Sequence, residues 1–286
     1  MTMIASSLLL LLPSLCYCYF FFHPPPTVSA HGYLKTPRSR NLVAYQDKNW
    51  ETYLSGGGTS NDPSPEDCPH CLNRGGILAQ CGISSGMTNG VPLLRNYDSP
   101  LNIEGNDMLP NVQGVYKEGS IITIDVLVTT HHKGHFEFAI CPIHDNNVSP
   151  MEIPTEECFS RHKLQFVSDE LYGAPFDSQY PYRGYLAPAT FVEWSNGSPG
   201  EQPVTGSNYK MKYQLPEGIS GNVVLLQWYW LTANSCKHEG YAEYPFPEEW
   251  GPEVFDDGLP DCENIPPDGD GVPEQVRGLF VCVCMC

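Results

Sequence analysis

The chain has 286 residues, 33 of them acidic and 15 basic, for a net charge of −18. That acidity excludes nucleic acid and anionic membranes as partners, because no basic stripe offsets the repulsion, and it leaves a neutral polymer or a small molecule. The length that follows residue 30 suits one large β domain with a sizeable core, or two small ones.

Residues 1–30 contain no Lys, Arg, Asp or Glu, and residues 8–22 are dominated by Leu, Phe, Tyr and Cys. This apolar core is interrupted by Pro13 and is shorter than a span of ~20 apolar residues, so it reads as a secretory signal peptide. Pro24, Pro25 and Pro26 end it, and Val28 and Ala30 are the small residues a signal peptidase recognises. An uncleaved anchor is the alternative. Cleavage after Ala30 makes His31 the first residue of a secreted chain, and no later stretch is apolar for long enough to cross a membrane.

The 12 cysteines agree with an oxidising destination. Cys16 and Cys18 leave with the signal. Cys68, Cys71, Cys81, Cys141, Cys158, Cys236 and Cys262 are disulfide candidates whose connectivity is open, and Cys282, Cys284 and Cys286 crowd the end. "CPHC" at 68–71 has half of a zinc-ribbon spacing, but no second C-x-x-C follows at the required separation. Asn147 and Asn196 each begin an Asn-x-Ser sequon, as an exported glycoprotein does.

Helical periodicity is nearly absent. Residues 42–115 are mostly loop-like, with "SGGGTSNDPSPED" too polar for a core. Then come strand patterns: "SIITIDVLVTT" (120–130), "HFEFAICP" (135–142), "TFVEW" (190–194), "YKMKYQL" (209–215) and "NVVLLQWYWLTA" (222–233). They predict an all-β fold, an immunoglobulin-like (fibronectin III-like) antiparallel β-sandwich with long disulfide-tied loops. Residues 248–272, rich in Pro, Asp and Gly, read as a terminal loop. "GLFVCVCMC" after it is oily and out of character.

No G-x-S-x-G elbow supports a triad hydrolase. Two carboxylates for a glycosidase are always to be found among so many acids, which locates nothing. The histidines are more informative. "TTHHKGHFEF" sets His131, His132 and His135 where the strongest strand turns into the next. Adjacent strand residues face opposite sides, so without a bulge only one of His131 and His132 serves a given site. The alternative is three polar turn residues. A terminal His31 offers a metal two nitrogens, its amine and its ring, and one imidazole from the cluster adds a third. Three nitrogens with open tetragonal positions suit Cu(II) better than tetrahedral zinc.

Terminal "HGYL", "VTTHHKGHFEFAICP" (128–142) and "LPEGISGNVVLLQWYWLTANSC" (215–236) together resemble the lytic polysaccharide monooxygenases grouped with chitin-binding type-4 domains. The nearest likeness is to the fifteenth auxiliary-activity family, whose stretch reads Asn-His-Lys-Gly-Tyr-Phe-Glu-Phe. The resemblance covers about residues 31–275 and implies a histidine brace of His31 and His132 around one copper ion, with His131 in the Asn position and His135 in the Tyr position. It implies oxidative cleavage of glycosidic bonds in chitin or cellulose by a secreted monomer, using an external electron donor with O2 or H2O2 as co-substrate. It also makes Gln227 a residue behind the metal's oxygen ligand and Tyr33 a sugar-stacking candidate. The family's axial aromatic follows Pro-Glu-Gln. Here "VPEQ" (272–275) runs into Val276, which leaves Phe280 as the substitute and 276–286 as an atypical Cys-rich tail. The rival expectation on the same fold is a chitin- or cellulose-binding module without turnover.

Overall fold

The computed structural model describes residues 31–39, 42–43, 46, 83–88, 91–96, 102, 104–106, 112–144, 156–188, 191–194, 204–234, 236–254, 257–264 and 281–285. In chain order the strands are β1 (His31–Thr36), β2 (Ile83–Thr88), β3 (Val91–Asn96), β4 (Ile121–Thr130), β5 (His135–His144), β6 (Gln165–Asp169), β7 (Gly184–Tyr185), β8 (Phe191–Trp194), β9 (Val204–Gln214), β10 (Val223–Leu231) and β11 (Val281–Met285). One short α-helix, α1 (Glu156–Arg161), lies between β5 and β6.

Two antiparallel sheets form the sandwich. The first has the order β1-β4-β9-β6, with β8 also on β9, and the second has the order β11-β10-β5-β7. β2 and β3 pair as a separate hairpin inside the region expected to be loop. Alternation in β4 buries Ile122, Ile124, Val126 and Val128 on the inner face, and β10 contributes Val224, Leu226, Trp228 and Trp230 from the opposite sheet. Phe136 of β5 ties the layers together, edge-on to Trp228 (5.1 Å), Trp230 (5.9 Å) and Tyr209 of β9 (5.7 Å). Such pairs add about 1 kcal/mol each beyond the area they bury.

β10 reads as a continuous apolar run because both of its faces are covered. Val223 and Leu225 point outward with Ala139, Cys141 and Phe159, beneath α1 and the Cys141–Cys158 disulfide. A second disulfide, Cys236–Cys262, closes the segment after β10. The expected terminal loop has anchored parts: short 3-10 turns at Glu248–Trp250, Pro252–Val254 and Cys262–Asn264, with Trp250 and Val254 buried. The tail is not out of place either, since β11 pairs antiparallel with β10 at the sheet edge. No helix among the described residues is long and apolar enough to cross a membrane.

β1 lies close to its neighbours. A Cβ on Gly32 would stand 2.7 Å from the Leu127 carbonyl oxygen and 3.1 Å from the Trp228 ring, so the strand packs only with glycine there. Tyr33 is wholly buried with Leu42 and Leu127. It therefore serves the core, which corrects its expected role as a sugar platform.

A polar knot sits in the second sheet. His135 is fully buried, its Nδ1 2.6 Å from the Tyr241 hydroxyl, its Nε2 3.8 Å from a Glu137 oxygen and its ring edge-on to His238. Burial pushes the His135 ring down to about 3, against the pull of Glu137. For Glu137 burial acts upward, but His135 and the Lys163 ammonium at 2.7 Å outweigh it and hold the acid at about 2. At neutral pH His135 is uncharged, so Lys163 is the ion that pairs with Glu137.

Two outcomes follow from this packing. Gly32→Ala lowers stability by about 2 kcal/mol in urea denaturation, as overpacking does, and an unchanged midpoint would contradict it. The buried histidine makes the metal-free chain acid-labile: between pH 6.5 and 3 the unfolded chain takes up a proton that folded His135 refuses, so stability is complete above 6.5 and falls with pH. The slope is about 1.4 kcal/mol per pH unit for one such histidine. Below 4.5 Glu137 adds to the loss, because its folded carboxyl resists protonation. A denaturation midpoint at pH 5 equal to that at pH 7.5 would overturn this account.

Candidate metal centre

The start of β1 and the end of β4, which leads into the turn with His132, meet at one end of the sandwich. β1 runs antiparallel to β4 with His31 opposite Thr130, and an irregularity separates this pair from Gly32 opposite Val128. Only the backbone of His31 is described, and it begins β1 two positions in register from His132.

His131 and His132 lie beyond the end of β4, in the turn that leads to β5. Lys133 has φ 57° and Gly134 φ 94°, both left-handed. A Cβ on Gly134 would collide with the Leu231 carbonyl oxygen, so the motif's glycine is obligatory for space as well as for φ. The turn is tied to both sides. The Ala233 N–H donates to the His132 carbonyl (2.9 Å) and the Leu186 N–H to the Gly134 carbonyl (3.1 Å). The Trp230 indole N–H donates to the Lys133 carbonyl (2.8 Å).

The paired histidines diverge, as their adjacency requires. The His131 ring stacks towards Tyr209 of the first sheet, with centroids 6.0 Å apart, and its Nδ1 accepts the Lys133 N–H at 3.2 Å. Burial lowers its pKa to about 4, so the ring is neutral. His132 is buried and meets Trp230 of the second sheet edge-on at 6.1 Å. Its Nδ1 lies 2.9 Å from the side-chain amide of Asn234. His135 points into the core against Tyr241, not towards the turn.

Gln227 is 7% exposed, in register with Ala139 of β5 and Cys282 of β11. Alternation along β10 directs it to the face of Leu225 and Tyr229, across the sheet from the Trp230 that supports His132. Phe280, Asn147, Asn196, Cys68, Cys71 and Cys81 fall outside the described residues. Among the described residues no group of three His, Cys, Asp or Glu side chains is placed to hold a metal ion. A brace differs from such a group, because one of its three donors is a terminal amine.

Asn234 is the residue that sequence reasoning missed. It stands 102 positions from His132, and nothing in "LTANSC" marks it as a partner. Trp230 was legible only as a core aromatic, yet it supports His132 with its ring and the Lys133 carbonyl with its N–H.

No curated protein sequence matches the chain. Among solved structures it is similar to an AA15 lytic polysaccharide monooxygenase from Thermobia domestica in the Cu(I) state, at 17% identity over 89% of this chain and 96% of that one, with a TM-score of 0.43. It is also similar to CelS2 (ScLPMO10C), a cellulose-active lytic polysaccharide monooxygenase in complex with copper, at 15% identity over 89% and 97% of the two chains, with a TM-score of 0.36. The family described as lytic polysaccharide mono-oxygenase, cellulose-degrading, matches residues 31–244. Because that match takes in the greater part of the chain, from the first residue of β1 to Tyr244, the chain belongs to the lytic polysaccharide mono-oxygenase family.

Proposed function

We propose that residues 1–30 are removed on export and that residues 31–275 form a secreted polysaccharide monooxygenase domain. In this reading the new amino terminus and ring of His31 join His132 to brace one copper ion. The observation that carries it is the pairing of His31 with Thr130: an amine released by cleavage after Ala30 emerges at the sheet end where the turn with His132 begins. The family match starting at residue 31 supports the same boundary.

The donor chemistry fits. A terminal amine and two neutral imidazoles make an all-nitrogen set, which suits copper. His132 must offer an unprotonated ring nitrogen, and the Asn234 side-chain amide nitrogen, 2.9 Å from its Nδ1, fixes the orientation of the ring. Trp230 blocks the ring from rotating into the core. Copper held there supplies one-electron chemistry with O2 or H2O2 once an external donor has reduced it. The protein's part is to hold three nitrogens at one end of the sandwich, and its acidic surface does not oppose a neutral crystalline polymer, chitin or cellulose.

Replacement of the axial aromatic by Val276 favours one rival, a module that binds polymer without turnover. Incubation with chitin or cellulose, ascorbate and copper separates the two. The monooxygenase releases oxidised oligosaccharides, and His132→Ala abolishes them while weakening copper binding about a hundredfold. Polymer binding without oxidised products would establish the rival.

A further inference from the structure

The turn after β4 asks for an unfavourable backbone. A residue with a Cβ in the left-handed region costs about 1 kcal/mol, and Lys133 sits there at φ 57°, directly after His132. The residue two positions ahead bonds to its N–H across His132. His131 Nδ1 accepts the N–H of Lys133, two residues on, at 3.2 Å. A side-chain acceptor bonded to the N–H at that offset is the closure of an Asx turn, ordinarily made by the Oδ1 of Asn or Asp. Histidine Nδ1 is separated from Cα by the same number of bonds as that oxygen, so it reaches the same N–H with the same ring size. Glutamine, one bond longer, does not.

We propose that His131 is a positioning residue whose Nδ1 stands in for the oxygen of an Asx turn, closing a ring through His132 that fixes the backbone φ and ψ of His132 and so aims its side chain. The importance of that aim rests on the copper-brace reading above. The neighbouring contacts orient the ring for this task. One face of the imidazole stacks towards Tyr209. The carbonyls of His132, Lys133 and Gly134 accept from Ala233, Trp230 and Leu186, and the Lys133 N–H donates to the His131 ring.

A role in hydrogen bonding and a role in packing predict opposite orders of substitution. His131→Phe keeps a ring for Tyr209 and loses the acceptor, whereas His131→Asn loses the ring and keeps an acceptor at the right distance. Two quantities are measured on the secreted chain: Lys133 amide hydrogen exchange in the metal-free state, and Cu(II) affinity by titration. His131→Phe speeds the exchange about fivefold, the factor one net hydrogen bond is worth. It also weakens Cu(II) binding about tenfold, as loss of an outer partner of a metal ligand does. His131→Asn stays within about twofold of the natural chain on both. Phe behaving like the natural residue, or Asn behaving like Phe, overturns the proposal. If the natural chain takes up no copper while exchange still follows the Asn and Phe pattern, the brace falls and the turn assignment stands.

Discussion

The hydrogen bonds around residues 131–134 are the constraint on which the rest depends. In four residues the chain leaves one sheet and enters the other, through two left-handed positions and past a carbonyl that tolerates no side chain. Strain of this kind persists only where surroundings over-determine it, and here Ala233, Leu186 and Trp230 each supply a donor to the turn. The result is a rigid presentation of His132 at the end of the sandwich, in a place where an ordinary hairpin would be mobile.

The same turn links the site to the core. His131 leans on Tyr209 of the first sheet and His132 on Trp230 of the second, so the relative position of the two rings reports the packing of the layers. Phe136, two residues past Gly134, touches both Tyr209 and Trp230. Between them His135 and Glu137 are held in protonation states that burial and Lys163 dictate. Geometry at the candidate centre is thus supported by ring packing and by the hydrogen bonds to the turn, not by surface ion pairs, which contribute little.

Much of this was legible in the residues. β4, β5 and β10 announce themselves by alternation or by long apolar runs, and the glycine of "HHKG" and the divergence of adjacent histidines follow from strand geometry. Short pieces such as β7 and α1 carry too few residues for any period to emerge. Disulfide partners and the Asn234 contact are long-range facts, set by which strands lie side by side. Tyr33 shows that a residue's chemistry says what it can do, while the face of the strand and its burial decide whether it does. Residues 281–285 of the Cys-rich tail pair as an edge strand on β10, a long-range fact of the same kind as the disulfides.

The central claim is that the end of β1 becomes a ligand only when His31 is the first residue. Copper titration of two chains tests it: one beginning at His31 and one retaining Ala30, which converts the amine into an amide and leaves every side chain in place. The account predicts tight binding of one Cu(II) by the first chain and a loss of at least about a hundredfold in the second, because an amide nitrogen carries no comparable lone pair. Equal affinity in the two would contradict it.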